Sequence, residues 1–292
     1  MRKFIVSDLH GNGEVYDSII SYLENISAKE EVELYINGDL IDRGQDSCMM
    51  FEDAITRMNN NDNSNFKLHY LGGNHELMMY NALLRRRPNK SVFTFSNWIL
   101  NGGNSTKNGL DSDPQREEKY KYYLDSVSNL KIYNKFEEKI RGKRVLLIHA
   151  RAPRVVPDVC TMKISDGTAQ VYKSVWTRNI DEFHIPHRIG HPDYLTIIGH
   201  TPVYNSKGFS YTKGENYLNI DGACAAYACG YKNEDHVPLV EVEDGRLTIL
   251  VWNHNNEIIK GYYMDDIIYP MSEEELNDKR KLINKEKVNI KK

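Results

Sequence analysis

The sequence has few cysteines, no long apolar run and no large excess of charge of either sign. Its four cysteines among 292 residues are too few and too scattered for a disulfide framework or a zinc knuckle. No segment approaches the roughly 18 consecutive apolar residues of a membrane span, and the start of the chain lacks the apolar stretch of a signal peptide. Lys and Arg number 38 against 41 Asp and Glu, a balance that does not favour nucleic-acid binding. We therefore expect a cytoplasmic protein without a membrane or nucleic-acid partner.

The residues that are present are typical of a globular protein. Apolar residues make up 40% of the chain and charged residues 27%, which excludes fibrous and disordered classes. A chain of 292 residues can form one or two domains. Histidine is unusually frequent, with ten residues. Composition thus bounds the class of fold but indicates no activity.

Three apolar runs near the start of the chain are each followed by a polar turn and a helical pattern. The runs are 3–6, 32–36 and 67–71, and the helices are expected at 15–26, at 47–58 and from Leu77. Repeated strand–turn–helix units indicate an α/β sheet with right-handed crossovers. Ligands of such sheets collect at the carboxyl ends of the strands, where the polar turns lie.

The rest of the chain predicts an insertion and further strands. Residues 85–136, rich in Asn, Lys and Tyr, are interpreted as a helical insertion beside the sheet. Two apolar strands, 145–148 and 195–198, follow it. Four more β-like runs predict a second, more antiparallel sheet: 217–220, 238–242, 247–252 and 258–263. We expect one domain over 1–271 and a charged tail over 272–292.

Five polar segments stand at the ends of predicted strands. They are 7–11 (SDLHG), 38–44 (GDLIDRG), 73–76 (GNHE), 148–150 (IHA) and 199–202 (GHTP). Each segment alone is more often a helix cap, a turn or an exposed polar group, so the prediction depends on their joint occurrence. Oxygen and imidazole ligands suit Mn, Fe or Zn. Six of them exceed one tetrahedral zinc site but fit a two-metal site with a shared carboxylate.

The order of these segments resembles the calcineurin-like metallophosphoesterases. More narrowly, it resembles the bacterial and phage branch of the PPP serine/threonine protein phosphatases. The resemblance covers about residues 4–242 and includes Trp98 with the NGG of 101–103, the VWTR of 175–178 and the LNIDG of 218–222. It implies a four-layer α/β/β/α sandwich of two mixed sheets, with metals at the sheet edges.

The resemblance also implies a ligand set for two divalent metal ions, with Mn expected and Fe or Zn as alternatives. Asp8 and His10 would bind one ion, and Asp39 would bridge to the other. The second ion would take Asn74, His149 and His200. A hydroxide between the two ions would attack phosphorus in line, without a phosphoenzyme.

Further residues of the motifs take their roles from the same resemblance. His75 would protonate the leaving alkoxide, and Asp42 would hold its imidazole. Arg43, Arg178 and Asn74 would contact the substrate phosphate, the arginines through their bidentate forks. The implied enzyme is a phosphomonoester hydrolase, most directly a serine/threonine phosphatase acting on a phosphoprotein or phosphopeptide.

Details of the motifs bear on the alternatives. Pro202 in GHTP, where many other metallophosphoesterases carry a second His, fits the PPP branch. The intact Asp42 also fits, because related diadenosine tetraphosphatases tend to lose it. A nucleotide or dinucleotide polyphosphate hydrolase stays open as the alternative, and a binding protein with a vestigial site is disfavoured by the complete ligand set. Arg151, where relatives usually carry Gly, either adds positive charge near the phosphate or points to solvent.

Overall fold

Two mixed β-sheets lie at the centre of the protein. The structure, a computed structural model, describes residues 1–84, 92–178, 188–228, 236–253, 255–265 and 267–283. Its strands are β1 (Arg2–Val6), β2 (Val32–Asn37), β3 (Phe66–Leu71), β4 (Tyr133–Ile140), β5 (Lys143–Ile148), β6 (Tyr194–Ile198), β7 (Ser210–Thr212), β8 (Tyr217–Asn219), β9 (Val237–Glu243), β10 (Arg246–Trp252), β11 (Ile258–Met264) and β12 (Ile268–Pro270). Its helices are α1 (Gly13–Ser27), α2 (Ser47–Asn59), α3 (Asn74–Leu84), α4 (Val92–Trp98), α5 (Asn104–Ser112), α6 (Arg116–Ser128), α7 (Ala169–Trp176), α8 (Cys224–Ala228) and α9 (Glu273–Ile283).

The strand order corrects one prediction. The first sheet runs β12-β11-β10-β9-β1-β2-β3, and the second runs β4-β5-β6-β8-β7. The last three β-like runs therefore extend the first sheet, where β9 pairs antiparallel with β1 and sets Val240 opposite Ile5. Only the run at 217–220 joins the second sheet, as β8 parallel to β6. Alternating apolar residues identify a strand but not its partner, because pairing is decided by contacts far apart in the chain.

The sheets pack face to face through alternate strand residues. Along β1, Ile5 belongs to the apolar layer between the sheets, whereas Phe4 and Val6 belong to the core on the helical side. This is the two-residue period expected of a strand buried on both faces. The layer between the sheets includes Val145, Leu147, Leu195, Ile197, Leu218, Val240 and Ile249.

Helices cover one face of the first sheet. Helix α1 contacts β2 and β3 and buries the apolar face that its spacing predicts, including Val15, Ile19 and Leu23. The Asn12 side chain caps it by accepting the Val15 N–H at 3.3 Å. Helix α7 lies beyond the end of β5 in the second sheet, where the Ser174 carbonyl accepts the N–H groups of the two residues after His149. The predicted fold of two mixed sheets with helices is confirmed.

The predicted insertion is helical only in part. Helices α4, α5 and α6 occupy its middle, and α5 and α6 contact α2 and α3 rather than forming a separate core. Its last residues, 133–136, belong to strand β4, and its first residues, 85–91, lie outside the described part of the chain. The predicted tail begins as helix α9, which contacts α1 and β11, and 284–292 lie outside the described residues. None of the helices in the described residues has the length and apolar composition of a membrane span.

Candidate metal and phosphate site

The turns after β1, β2, β3, β5 and β6 meet at one edge of the sandwich. They bring together every residue predicted to bind metal and both members of the predicted proton-donating pair. All of these side chains are buried: Asp8, His10, Asp39, Asp42, Asn74, His75, His149 and His200. Burial of so many polar groups is costly unless they bind one another or a ligand.

Several of these residues have a strained backbone. Six of the eleven non-glycine residues with positive φ in the described part of the chain lie in this site: Asp8, His10, Asp39, Asp42, Arg43 and His200, with φ between +47° and +72°. The left-handed region is unfavourable for residues with a Cβ, and such strain clusters at functional sites. The surrounding fold therefore holds these turns in their strained conformation. No local sequence pattern reveals this strain.

The Asp39 carboxylate lies at the centre of the site. Its Oδ2 is 3.4 Å from His149 Nε2 and 3.7 Å from His10 Nε2. Two groups of potential ligands share it, His10–Asp39–His75 and Asp39–His149–His200, each with ligand atoms within 4.8 Å of one another. Burial alone would raise the pKa of Asp39, but the neighbouring imidazoles, His149 foremost, lower it well below the usual value. A shared anionic carboxylate is what a bridging ligand requires.

Backbone carbonyls orient the imidazoles. His149 Nδ1 donates to the Asn37 carbonyl at 2.8 Å and His10 Nδ1 to the Ile41 carbonyl at 3.1 Å, which turns both Nε2 atoms into the site. The His200 ring has the opposite orientation, because its Nε2, not its Nδ1, donates to a backbone carbonyl, that of Trp176, at 3.0 Å. A carbonyl on one ring nitrogen fixes the tautomer and leaves the other nitrogen as a ligand.

The pKa values of the two imidazoles nearest Asn74, those of His200 and His149, are shifted in opposite directions. Burial, then the charge of His149, lowers the pKa of His200 to about 3, and Arg178 contributes to the same shift. Burial opposes charging of His149 too, but Asp39 and Asp8 raise its pKa to about 10. Asn74 Oδ1 lies between them, 2.7 Å from His200 Nδ1 and 3.1 Å from His149 Nε2.

Asp8 stands slightly apart from the other predicted ligands. Among the described residues it belongs to neither of the two ligand groups. Both of its carboxylate oxygens lie 3.1 Å from the His200 N–H, and Ser7 donates its hydroxyl to Oδ2. Burial, with a contribution from Asp39, raises the pKa of Asp8 to about 7, and burial beside Asp8 raises the pKa of Asp221 well above its usual value. Buried carboxylates that raise one another's pKa favour a bound cation, which would offset their repulsion.

His75 and Asp42 form the pair that the motifs predict. His75 Nδ1 lies 2.8 Å from Asp42 Oδ2, and both side chains are buried. Asp42 also accepts from Trp98 Nε1 at 2.8 Å and from the Thr106 hydroxyl at 2.6 Å. The sequence marks Trp98 only as part of the family resemblance and gives no sign of Thr106, because both contacts with Asp42 join residues more than 50 positions apart.

The predicted arginines differ in position. Arg43 reaches the middle of the site, with Nη1 2.6 Å from His10 Nε2 and Nη2 3.1 Å from His75 Nε2. Arg178 is exposed, two residues after the end of α7, and near enough to His200 to lower the pKa of His200. Arg151 is half-buried and its backbone N–H donates to the Ser174 carbonyl. Arg43 is therefore the arginine that the structure places in direct contact with the predicted site residues.

Glu76 organises two of the turns, a role that the sequence pattern does not predict. Its buried carboxylate accepts the backbone N–H groups of Asp39, Leu40 and Gly73 at 2.8–3.1 Å and the Tyr70 hydroxyl at 2.6 Å. It thereby joins the turn after β2 to the turn after β3. Its position in the GNHE segment was the available signal, but only the fold reveals what it binds.

The comparisons with known proteins agree with this geometry. Residues 1–240 match the family model for calcineurin-like phosphoesterases. The chain belongs to this family. The family depends on two metal ions and indicates a phosphoester hydrolase, and the buried set of imidazole nitrogens and carboxylate oxygens around Asp39 fits such ions.

Two phosphatases of known structure share the fold. A protein serine/threonine phosphatase from Saccharomyces cerevisiae is 14% identical, with 87% of this chain and 80% of that chain covered and a TM-score of 0.51. A cold-active protein tyrosine phosphatase is also 14% identical, with 94% and 80% covered and a TM-score of 0.50. No curated protein matches the sequence significantly. At this identity the likeness establishes the architecture and not the substrate.

Proposed function

We propose that the protein is a metal-dependent protein serine/threonine phosphatase that hydrolyses a phosphoprotein or phosphopeptide. The observation that carries this proposal is the buried pair formed by His75 Nδ1 and Asp42 Oδ2, 2.8 Å apart, with Arg43 Nη2 3.1 Å from the other ring nitrogen. A proton donor and a phosphate-binding cation thus stand side by side at the edge of the ligand groups. Together these two groups can bind the phosphate and protonate a poor leaving group as its bond to phosphorus breaks.

The proposed ligands of the two divalent ions are divided around Asp39. Asp8 and His10 would hold one ion, and Asn74, His149 and His200 the other, with Asp39 shared. When bound, divalent ions such as Mn²⁺ activate water and stabilise negative charge on phosphoryl oxygens. Oxygen and imidazole ligands accept Mn, Fe or Zn, and Mn is our first expectation.

The side chains of this protein then bind the phosphate and move the proton. Arg43 offers two N–H donors in one plane, which match two phosphate oxygens. His75 donates the proton to the departing serine or threonine oxygen, and Asp42 stabilises the imidazolium and fixes its ring plane. Arg178, exposed near His200, is proposed as a second and weaker phosphate contact.

The alternative is a nucleotide or dinucleotide polyphosphate hydrolase that uses the same metals. The leaving group in that reaction is a phosphate, which departs without a proton, whereas a serine alkoxide is strongly basic and needs one. A buried, carboxylate-held imidazole is therefore of most use with a phosphomonoester of an alcohol. Asp42 favours the protein phosphatase on this ground.

An apolar groove beside the site supports a substrate larger than phosphate. It has a volume of about 310 Å³ and is lined by Leu77, Met78, Asn81, Asn97, Tyr172 and Trp176. Trp176 is the residue whose carbonyl binds His200, and Leu77 follows the GNHE segment directly. A side chain flanking a phosphorylated residue would fill this groove.

The experiment is a side-by-side assay of a phosphoserine peptide and diadenosine tetraphosphate with the same metal-loaded protein. Mn²⁺, Fe²⁺ and Zn²⁺ are compared on protein first stripped of metal. We expect faster turnover of the phosphopeptide, with the largest activity in Mn²⁺. Faster turnover of the dinucleotide would establish the alternative, and no turnover of either substrate with any metal would refute a phosphatase.

A further inference from the structure

Helices α4 and α5 meet at a kink that lies against Asp42 and Arg43. We call residues 98–106 the kink segment. We propose that the kink segment positions both the proton donor, His75, and the phosphate-binding arginine, Arg43. Trp98 and Thr106 act as positioning residues through Asp42. The inference rests on the proposed function, in which His75 donates a proton and Arg43 binds the phosphate.

The first observation is the pair of side chains that hold Asp42. Trp98 Nε1 donates to Oδ2, the oxygen that also faces His75, and the Thr106 hydroxyl donates to Oδ1. The Thr106 oxygen in turn accepts the Asp42 backbone N–H at 3.2 Å. Asp42, Trp98 and Thr106 are all fully buried, so no water competes for these bonds. With both oxygens held, the carboxylate can present Oδ2 to His75 in only one orientation.

The second observation concerns the backbone of Arg43. Its N–H donates to the Gly102 carbonyl at 2.9 Å, and Arg43 itself has a φ of +70°. Gly102 has a φ of +103° and packs against the Arg43 side chain, where a Cβ on residue 102 would lie 2.6 Å from Cγ. Glycine is required at this position for both reasons. The kink segment therefore supports the arginine as well as the acid.

Trp98 also packs in the core, so packing and hydrogen bonding have to be separated. Its ring lies edge-on to Phe95 with centroids 6.0 Å apart. Trp98→Phe keeps an aromatic ring and removes the N–H donor, and Thr106→Val keeps the shape and removes the hydroxyl. Thr106→Ser retains the donor and serves as the rescue variant. The matched controls are Trp252→Phe, which removes a buried N–H bonded to Ser18, and Thr196→Val, which removes a buried hydroxyl bonded to the His191 N–H.

The first measurement is turnover of a phosphoserine peptide and of 4-nitrophenyl phosphate, whose leaving group needs little protonation. We expect Trp98→Phe and Thr106→Val each to lower kcat for the phosphopeptide about tenfold, the loss of one hydrogen bond to a charged group. KM and the aryl phosphate kcat should change by less than about threefold. Thr106→Ser and both controls should behave like the wild type on both substrates. Equal losses of kcat on the two substrates would overturn the proposal.

The second measurement does not depend on activity. In proton NMR of the protein loaded with Zn²⁺, which is diamagnetic, the hydrogen between His75 Nδ1 and Asp42 should give a downfield resonance that is absent from His75→Asn. We expect it to shift or broaden in Trp98→Phe and Thr106→Val and to stay unchanged in Trp252→Phe and Thr196→Val. An unchanged resonance in both kink-segment variants would overturn the proposal. A wild type that hydrolyses no phosphomonoester would instead refute the proposed function, while the resonance would still test the positioning.

Discussion

His75 has a different partner on each ring nitrogen. Nδ1 faces Asp42, whereas Nε2 lies 3.1 Å from Arg43 and 4.0 Å from Asp39 Oδ2. The distances also place His75 in one of the two candidate ligand groups. The Nδ1 contact favours a proton donor, because a carboxylate on one ring nitrogen stabilises the imidazolium that donates from the other.

A substitution at His75 distinguishes a proton donor from a metal ligand. We expect His75→Asn to keep both metals and to lower kcat for a phosphoserine peptide by about 10²–10⁴, the usual contribution of general acid catalysis. Metal content is measured by elemental analysis of the purified protein and turnover by phosphate release. His69→Asn is the control, because His69 is half-exposed on β3, outside the site, with Nε2 3.9 Å from Glu33 Oε1. Loss of metal in His75→Asn would make this residue a ligand.

The prediction for Arg43 concerns the shape of its cationic side chain rather than its charge. Arg43→Lys retains a positive charge but loses the planar fork, so we expect KM for the phosphopeptide and the inhibition constant of inorganic phosphate to rise about tenfold. Arg116→Lys, an exposed residue on α6, is the control. Unchanged phosphate inhibition in Arg43→Lys would mean that this guanidinium does not touch the phosphate.

At the scale of elements, the site depends on turns that are bound to one another. Glu76, at the start of α3, accepts four donors from residues on β3 and in the turns after β2 and β3. A carboxylate suits this position because it has only acceptors. The helix and the two turns thus form one unit around Asp39.

Replacing this carboxylate by an amide tests that unit. Glu76→Gln would turn an NH₂ group toward groups that themselves donate, and we expect the free energy of unfolding to fall by about 3 kcal/mol. Tyr70→Phe removes one donor and should cost about 1 kcal/mol. Urea denaturation measures both, with the exposed Glu14→Gln as control. A Glu76→Gln protein as stable as the wild type would contradict this account of the turns.

Elements that depend on local pattern were predicted well. The first three strands and α1, α2 and α3 lie within a few residues of their expected positions, because the apolar spacing of each is set by its own burial. The insertion was less well predicted, since 133–136 form part of β4 instead of a helix. That strand alternates poorly and takes its partner, β5, from the residues that follow it.

At the scale of the whole molecule, the candidate metal site joins the two sheets. Asp39 and Asn74 follow strands of the first sheet, whereas His149 and His200 follow strands of the second. A cation bound by residues from both sheets would therefore stabilise their packing. Binding to the folded state alone raises the free energy of unfolding by mass action.

Thermal unfolding with and without metal measures how much a bound cation stabilises the folded protein. We expect Mn²⁺ at about one hundred times its Kd to raise Tm by about 5–8 °C. Asp39→Asn should abolish most of this shift, because it weakens the shared ligand of both groups. Asp125→Asn, an exposed change on α6, should retain the full shift. A Tm that does not respond to Mn²⁺, Fe²⁺ or Zn²⁺ would argue against a metal site between the sheets.

The sequence by itself determined the early strands and helices, the polar turns that follow the strands, and the set of metal-ligand types those turns carry. These properties are local, because a turn needs only its own residues and a strand only its own alternation. The tertiary structure decided that β9, β10 and β11 extend the first sheet, and that Glu76, Trp98 and Thr106 support the site. Strand partners and buried hydrogen bonds join residues far apart in the chain, and their free energy exists only once the fold has brought them together.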